Sequence, residues 1–155
     1  MHLRDILRHK GSEVVTVAPD RTVHDAIVKM NRHKIGALIV TDETGEIQGI
    51  VTERDILHMC GEQCVHLDDP SLAGTDCPTL VSEIMTTDPV IVVPDDTLDY
   101  AMGVMTSNRV RHLPVLDEGR LAGVVSIGDV VKVQLSEMEY ENRMLKDYIQ
   151  GAVSY

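Results

Sequence analysis

Short apolar runs alternate with amphipathic segments along the first half of the chain. An apolar run at 14–17 is followed by turn residues and then by apolar residues at helical spacing from Val23 to Met30. Two further apolar runs, 37–41 and 47–51, are joined by polar residues that are typical of a hairpin turn. This pattern predicts a strand, a helix, two strands and a second helix.

The second half of the chain repeats the first. Residues 75 positions apart correspond over a long stretch: Val15, Val17, Pro19, Thr22, Ala26 and Met30 match Val90, Val92, Pro94, Thr97, Ala101 and Met105. The period is too long for a solenoid, so we infer a duplicated, domain-sized unit. A three-stranded sheet with two helices on one face is too small to be stable alone. We therefore predict an α/β fold in which two β-α-β-β-α units pack sheet to sheet about a pseudo-twofold axis.

Each unit ends in one motif that places a hydroxyl and an aspartate at a helix start. Segments 49–55 and 123–129 share a glycine, an apolar pair, the hydroxyl of Thr52 or Ser126, and an aspartate. The hydroxyl residues are predicted N-caps. A helix N-terminus suits a phosphate, and an aspartate one turn further on suits the hydroxyls of a ribose. For either copy alone, a plain capped helix with a first-turn aspartate is the alternative.

Composition narrows the classes of partner. The content of hydrophobic residues is 43%, without Phe or Trp, so the core must be aliphatic and methionine-rich. A formal net charge of −11 disfavours nucleic acid and anionic membranes as partners. Since there is no apolar run that spans a bilayer and no leader-like start, we expect a cytoplasmic protein. Three cysteines argue against a disulfide framework.

The duplicated unit and its Gly-h-h-[Ser/Thr]-x-x-Asp ending resemble a tandem pair of cystathionine beta-synthase (CBS) domains, also called a Bateman module. Met-Thr-Thr-Asp-Pro-Val at 85–90 and Arg-His-Leu-Pro-Val at 111–115 are also typical of this family. The resemblance covers most of the chain. It predicts CBS unit 1 at 1–60, a linker at 61–79, CBS unit 2 at 80–135 and a C-terminal helical extension at 136–155.

The resemblance implies a regulatory sensor that binds an adenosine-containing ligand between the units. The expected ligands are AMP, ADP, ATP, NAD(H) or S-adenosylmethionine, and no cofactor is required. The family also implies a homodimer, and we expect any regulated protein to be a separate chain. No P-loop and no spacing of a nucleophile with a base is present in the sequence, so we do not expect an enzyme.

In this family each ligand cleft combines residues of both units. The resemblance assigns to one cleft, here named the Asp55 cleft, Ile50, Thr52, Asp55, Pro89, Val90, Val110, Arg111 and His112. It assigns to the other, the Asp129 cleft, Val14, Val15, Lys34, Ile35, Gly36, Ala37, Val124, Ser126 and Asp129. The apolar positions suit an adenine, the aspartate a ribose, and the hydroxyl and basic groups a phosphate.

The two clefts are predicted to differ in their basic residues. The second unit contains the basic pair 111–112, whereas the first unit has Gly36 and Ala37 at the matching positions. We expect phosphate contacts in the Asp129 cleft to come from Lys34, just after His33, or from across the cleft. The alternative is that Arg109, Arg111 and His112 form only a solvated rim.

The segment around Cys60 and Cys64 permits a thiol or metal sensor as an alternative function. Together with His58 and His66 it offers two thiolates and two imidazoles, but their spacing is not a usual zinc pattern. An inert linker is the plainer explanation, with Cys60 still in the helix that begins after Thr52.

The end of the chain predicts one long helix from Ile127 to Gln150, ended by Gly151. A coiled-coil spacing of alternately three and four residues relates Leu135, Met138, Asn142, Leu145 and Ile149. This seam either pairs with a second copy or packs back on the chain's own units. A structural dimerisation module with vestigial clefts is thus a further alternative. The two motif aspartates argue against vestigial clefts, because we do not expect the fold to need them.

Overall fold

The computed structural model describes residues 1–11, 13–63 and 79–152. Its elements follow the predicted order in the first half, apart from an additional leading helix, and the second half differs from that order in its first strand. The first half contains α1 (Leu3–Lys10), β1 (Thr16–Val17), α2 (Val23–His33), β2 (Ala37–Thr41), β3 (Ile47–Thr52) and α3 (Glu53–Gln63). The second half contains α4 (Val81–Ile84), α5 (Leu98–Asn108), β4 (His112–Asp117), β5 (Arg120–Ser126) and α6 (Ile127–Ala152).

The two sheets differ by one strand. In the first unit β1 pairs parallel with β2. β2 pairs antiparallel with β3, which confirms the predicted hairpin. In the described part of the second unit the sheet contains only β4 and β5, and the expected first strand is a single parallel bridge between Val92 and Val115. This departs from the predicted three strands because Pro114 stands where the first unit has Ile39. Proline has no N–H, so the ladder cannot extend toward Val90.

The sheets face each other, and the helices cover their outer faces. Ile39 and Ile50 are buried between the units, where Leu121 and Val124 of β5 pack against them. Alternate residues of the same strands, such as Leu38, point instead to the helices of their own unit. The matching buried cluster of the second unit contains Leu113, Val115, Val125 and Val130. The predicted α/β pair of units is confirmed.

The units exchange their leading helices. α1 precedes the first unit in the sequence, but Leu3 is buried in the cluster of the second unit, and its N–H donates to Asp96 O at 3.0 Å. α4 does the converse: Val81 is buried in the first unit's cluster, and its N–H donates to Arg21 O at 2.8 Å. Because of this exchange, the end of α1 lies at the Asp129 cleft, a position that cannot be predicted from the order of the elements in the sequence.

α6 is 26 residues long and runs through Gly151 to Ala152. The predicted stop at Gly151 was wrong, because a glycine in a helix costs only about 1 kcal/mol relative to alanine. The apolar seam residues of α6 are between 56% and 64% exposed, so the seam does not pack back on the described parts of the two units: Leu135, Met138, Leu145 and Ile149. Among the described helices, none combines the length and the hydrophobicity that crossing a bilayer requires.

Candidate ligand clefts between the two units

Thr52 and Ser126 cap the two motif helices, as predicted. Their hydroxyl oxygens accept the N–H groups of Asp55 and Asp129 at 3.4 and 3.2 Å. In return, Asp55 Oδ2 accepts the N–H and the hydroxyl of Thr52 at 2.8 and 2.9 Å. Ser126 donates the same two bonds to Asp129 Oδ2, both at 2.8 Å. Both aspartates therefore stabilise a helix start, so their presence in both units is by itself no argument against vestigial clefts.

The Asp55 cleft is a cavity of about 220 Å³ between the units. All the residues assigned to it from the sequence line it: Ile50, Thr52, Asp55, Pro89, Val90, Val110, Arg111 and His112. The lining also includes Gly36, which was assigned to the other cleft, and Arg109 of the basic rim. Four further lining residues were not singled out: Glu53, Arg54, Thr86 and Asp88. Arg54 lies in the motif at 49–55 and Thr86 in the motif at 85–90. Their places in these motifs are the sequence feature from which they could have been assigned to the cleft.

Gly49 is explained by a close backbone approach at the Asp55 cleft. Ile50 and Thr86 exchange two N–H to O bonds, of 3.0 and 2.9 Å. A Cβ at position 49 would collide with the carbonyl oxygen of Thr86, so only glycine fits. Asp88 and Pro89, which follow Thr86 closely in the chain, line the same cleft.

The Asp129 cleft is a cavity of about 340 Å³ on the other side of the pair. Its lining contains all the residues assigned to it: Val14, Val15, Lys34, Ile35, Gly36, Ala37, Val124, Ser126 and Asp129. The lining also includes Lys10, Gly11, Glu13 and His112, whereas His33 is exposed and is not part of the described lining. Lys10 was not predicted to line this cleft, because it lies there only as a result of α1 packing on the second unit.

Lys10 binds the aspartate of this cleft directly. Its Nζ donates to Asp129 Oδ2 at 2.7 Å and to Val124 O at 3.1 Å. The side chains of the ion pair are 42% and 22% exposed, so the carboxylate is mostly covered. Burial raises the pKa of Asp129, but the bonds from Lys10 and Ser126 outweigh burial, and the pKa lies below the ordinary 3.8.

A basic residue ends a helix at the rim of each cleft. Lys34 ends α2 and Arg109 ends α5, with φ angles of 54° and 56°. Residues with a Cβ adopt this left-handed conformation at a cost of about 1–2 kcal/mol, and glycine is more usual there. The rim of the Asp55 cleft also joins the two units, because Arg54 Nη1 donates to Arg109 O at 3.3 Å.

Known proteins share this arrangement. A model of the CBS domain matches residues 3–62 and 81–136 of the chain. The chain belongs to the CBS domain family. The crystal structure of a CBS-domain-containing protein from Agrobacterium tumefaciens is 40% identical, with a TM-score of 0.78, and the match covers 86% of this chain and 99% of that one. The tandem CBS pair predicted from the doubled motif is confirmed.

Two further relatives are more distant in sequence. The CBS domain-containing protein CBSX3, mitochondrial, of Arabidopsis thaliana is 35% identical over 157 residues, which cover 96% of this chain and 72% of the relative. The crystal structure of CBSX2 in complex with AMP is 26% identical, with a TM-score of 0.69, and the match covers 88% of this chain and 98% of that one.

His112 and Gly36 line both clefts of the CBS pair and lie where the clefts meet. A Cβ at Gly36 would lie 2.8 Å from Glu53 Oε1 and 3.4 Å from His112 Cε1, so the junction is tightly filled. Burial lowers the pKa of His112 below 6.5, and Lys10 and Arg111 lower it further, although Glu53 and Asp129 oppose this effect. Its imidazole is therefore neutral at pH 7, and a nearby anion would favour its protonation.

The cysteine segment adds no site in the part of the CBS pair that the structure describes. Cys60 lies in α3, as predicted, and is exposed. Cys64 and His66 lie outside the described residues. Among the described residues, no group of three His, Cys, Asp or Glu side chains is placed to hold a metal ion.

Proposed function

We propose that this CBS pair is a non-catalytic regulatory module that binds adenosine-containing ligands in the Asp55 and Asp129 clefts. The observation that carries the proposal is the doubled arrangement of a capped aspartate, apolar strand ends and a basic rim. In the Asp55 cleft the cap bonds use only Oδ2 of Asp55. Within the described residues Oδ1 accepts no hydrogen bond, so it is available to a ribose hydroxyl.

The remaining lining of the Asp55 cleft suits the other parts of a nucleotide. Ile50 and Val110 offer apolar surface for an adenine, and the Arg54 and Arg109 side chains offer cations for a phosphate. The complex of CBSX2 with AMP supports AMP as the first ligand to test. ADP, ATP, NAD(H) and S-adenosylmethionine are the other candidates. The net charge of −11 supports a small ligand over nucleic acid.

Regulation follows from the position of the clefts. A ligand that contacts both units favours one relative arrangement of the units through its differential affinity for that arrangement. α1 and α4 cross between the units, so a change in their arrangement reaches both cores. We propose that a separate protein in the cytoplasm responds to this change.

Thermal unfolding with each candidate ligand tests the proposal. A ligand at about 100 times its Kd should add about 2.7 kcal/mol to the free energy of unfolding and so raise Tm. Asp55→Asn and Asp129→Asn keep an oxygen acceptor for the cap but remove the charge, so each should reduce the shift produced by its cleft. If no ligand raises the Tm of the wild-type chain, the proposal fails.

Asp25→Asn is a matched control for both variants. Asp25 caps α2 in the same manner, since it accepts the N–H of Thr22 at 3.3 Å and donates its own N–H to the Thr22 hydroxyl at 3.1 Å. It is not among the described residues that line either cleft. This variant should lower Tm without changing the ligand-induced shift.

The exposed seam of α6 favours dimerisation as a second role. The seam carries apolar residues at coiled-coil spacing with Asn142 at an a-type position, where paired asparagines fix the register of two parallel helices. Two heptads are too short to pair alone, so we propose that the units also contribute to the dimer.

Sedimentation equilibrium tests this second role. The wild-type chain should be a dimer, and Leu145→Glu should shift it toward monomer because the charge falls within the seam. Tyr140→Glu is the matched control, since Tyr140 is 64% exposed but lies off the seam. A monomeric wild-type chain would exclude the dimer.

A further inference from the structure

The two motif aspartates differ in their charged partners. Asp129 Oδ2 accepts three hydrogen bonds: two from Ser126 and one from the ammonium of Lys10. Asp55 Oδ2 accepts only two, both from Thr52, and no cation pairs with Asp55 in the described part of the chain. The duplicated motif is therefore the same on both sides, but one copy already holds a positive charge.

The length of the leading helices explains the difference. α1 has eight residues and α4 has four. Leu7 of α1 and Met85 after α4 occupy matching places, because they face the motif glycines Gly123 and Gly49, respectively. Beyond Leu7 the helix continues to Lys10. α4 has already ended before Met85, and the next residue, Thr86, forms an antiparallel bridge with Ile50.

The extra turn puts an ammonium group where the other cleft has backbone. In the Asp55 cleft the carbonyl of Ile50 accepts the N–H of Thr86 at 2.9 Å. In the Asp129 cleft the matching carbonyl, that of Val124, accepts Lys10 Nζ at 3.1 Å. Lys10 thus replaces a fixed backbone contact with a flexible cation that can change partners.

We propose that Lys10 makes the Asp129 cleft select phosphate-bearing nucleotides over neutral nucleosides. The proposal rests on the proposed function and specifies the ligand class of one cleft. A ribose that donates to Oδ2 of Asp129 as well as to Oδ1 competes with Lys10, because Oδ2 already accepts three hydrogen bonds. A neutral nucleoside leaves the displaced ammonium without an anion, whereas a phosphate provides a new one.

The other charges of the cleft agree with this selection. Lys34 is a second cation in the lining, and Glu13 is the remaining carboxylate. While Lys10 is paired with Asp129, Lys34 is the one other lysine or arginine in the described lining, so it alone can attract an anion. Once ribose releases Lys10, both lysines are available to a phosphate.

Isothermal titration with AMP and with adenosine tests the selection. Asp55→Asn weakens the other cleft, so the Asp129 cleft dominates the signal. In this background AMP should bind at least about tenfold more tightly than adenosine, the size expected for one charge-assisted contact. Adding Lys10→Met, which keeps the length of the side chain but removes its charge, should reduce the preference about tenfold, chiefly by strengthening adenosine binding.

Two further variants serve as controls. Lys29→Met removes a lysine that also donates to a backbone carbonyl, Thr16 O at 2.7 Å, but that is not among the described residues lining either cleft. It should leave the preference unchanged. Lys10→Arg keeps the charge and should keep most of the preference.

The outcomes separate this proposal from the one on which it rests. An AMP preference that Lys10→Met leaves unchanged overturns the role of Lys10, and so does an Asp55→Asn chain that no longer binds AMP. In either case the proposed function stands if the wild-type chain binds AMP. If the wild-type chain binds neither compound, both proposals fail for this ligand class.

Discussion

The Asp55 and Asp129 clefts are built from the same repeated parts, but different groups cross them. In both, a hydroxyl and an aspartate cap a helix, and a basic residue ends a neighbouring helix at the rim. Extended backbone at Thr86 crosses the Asp55 cleft, whereas the last turn of α1 reaches the Asp129 cleft. The repeated motif is the same in both clefts. The difference therefore comes from α1 and α4, which determine whether a charged side chain or backbone lies next to the motif aspartate.

Alanine substitutions at the two motif glycines should give the largest difference in stability between the two clefts. A Cβ at Gly49 meets a backbone carbonyl that cannot move freely, whereas a Cβ at Gly123 meets the end of the flexible Leu7 side chain. We expect Gly49→Ala to destabilise the fold by roughly 2–3 kcal/mol and Gly123→Ala by about 1 kcal/mol or less. Urea unfolding followed by circular dichroism measures both. An equal loss would mean that α1 is held as rigidly as the backbone at Thr86.

Glycine at the two left-handed helix ends should give smaller and opposite effects on stability and binding. Arg109→Gly and Lys34→Gly relieve the strained backbone, so each should leave stability unchanged or raise it by about 1 kcal/mol or less. Each should nevertheless weaken AMP binding roughly tenfold in its own cleft, because a charge-assisted phosphate contact is lost. Titration in the Asp129→Asn and Asp55→Asn backgrounds, respectively, assigns each effect.

Glu118→Gly is the matched control for these two variants. Glu118 has a positive φ of 47° in the turn between β4 and β5, and it is not part of the described lining of either cleft. It should share the effect on stability but leave AMP binding unchanged. If Arg109→Gly also leaves AMP binding unchanged, Arg109 is only solvated, as the sequence-based alternative held. If Lys34→Gly leaves it unchanged, the phosphate contact expected from Lys34 is absent.

The duplicated pattern was sufficient to predict the fold class, whereas the segments assigned to each cleft followed from the resemblance to the CBS family. Patterns with periods of two and 3.6 residues are local, and a repeat implies a pseudo-twofold pair. Lys10 could not be predicted in this way, because its place depends on α1 packing on the distant unit. The loss of the first strand of unit 2 was open to prediction, since Pro114 replaces Ile39 in the repeat. The prediction that α6 ends at Gly151 was wrong because a helix tolerates a glycine near its end.

The smallest expected effect concerns His112, at the junction of the clefts. It is a dependence of the free energy of unfolding on pH. Since the pKa of His112 lies below 6.5 in the folded chain, the unfolded chain binds more protons there. Stability that depends on the neutral imidazole is complete above about pH 6.5 and is lost as the pH falls toward the lowered pKa. His112→Gln should therefore lose less stability than the wild type between about pH 7.5 and 5.5.

Urea unfolding at the two pH values measures this difference, and His24→Gln is the control because His24 is exposed on α2. Saturating AMP should reduce the loss in the wild type, since a phosphate favours the protonated imidazole of His112. Equal losses of stability in His112→Gln and the wild type would contradict the claim that His112 contributes to the pH dependence.

A crystal structure of the wild-type chain grown with saturating AMP tests the central claim most directly. The account predicts AMP in the Asp55 cleft, with ribose hydroxyls donating to Asp55, adenine against Ile50 and Val110, and phosphate beside Arg109. An Asp55 cleft without AMP under these conditions, or AMP bound with its ribose away from both motif aspartates, would contradict it.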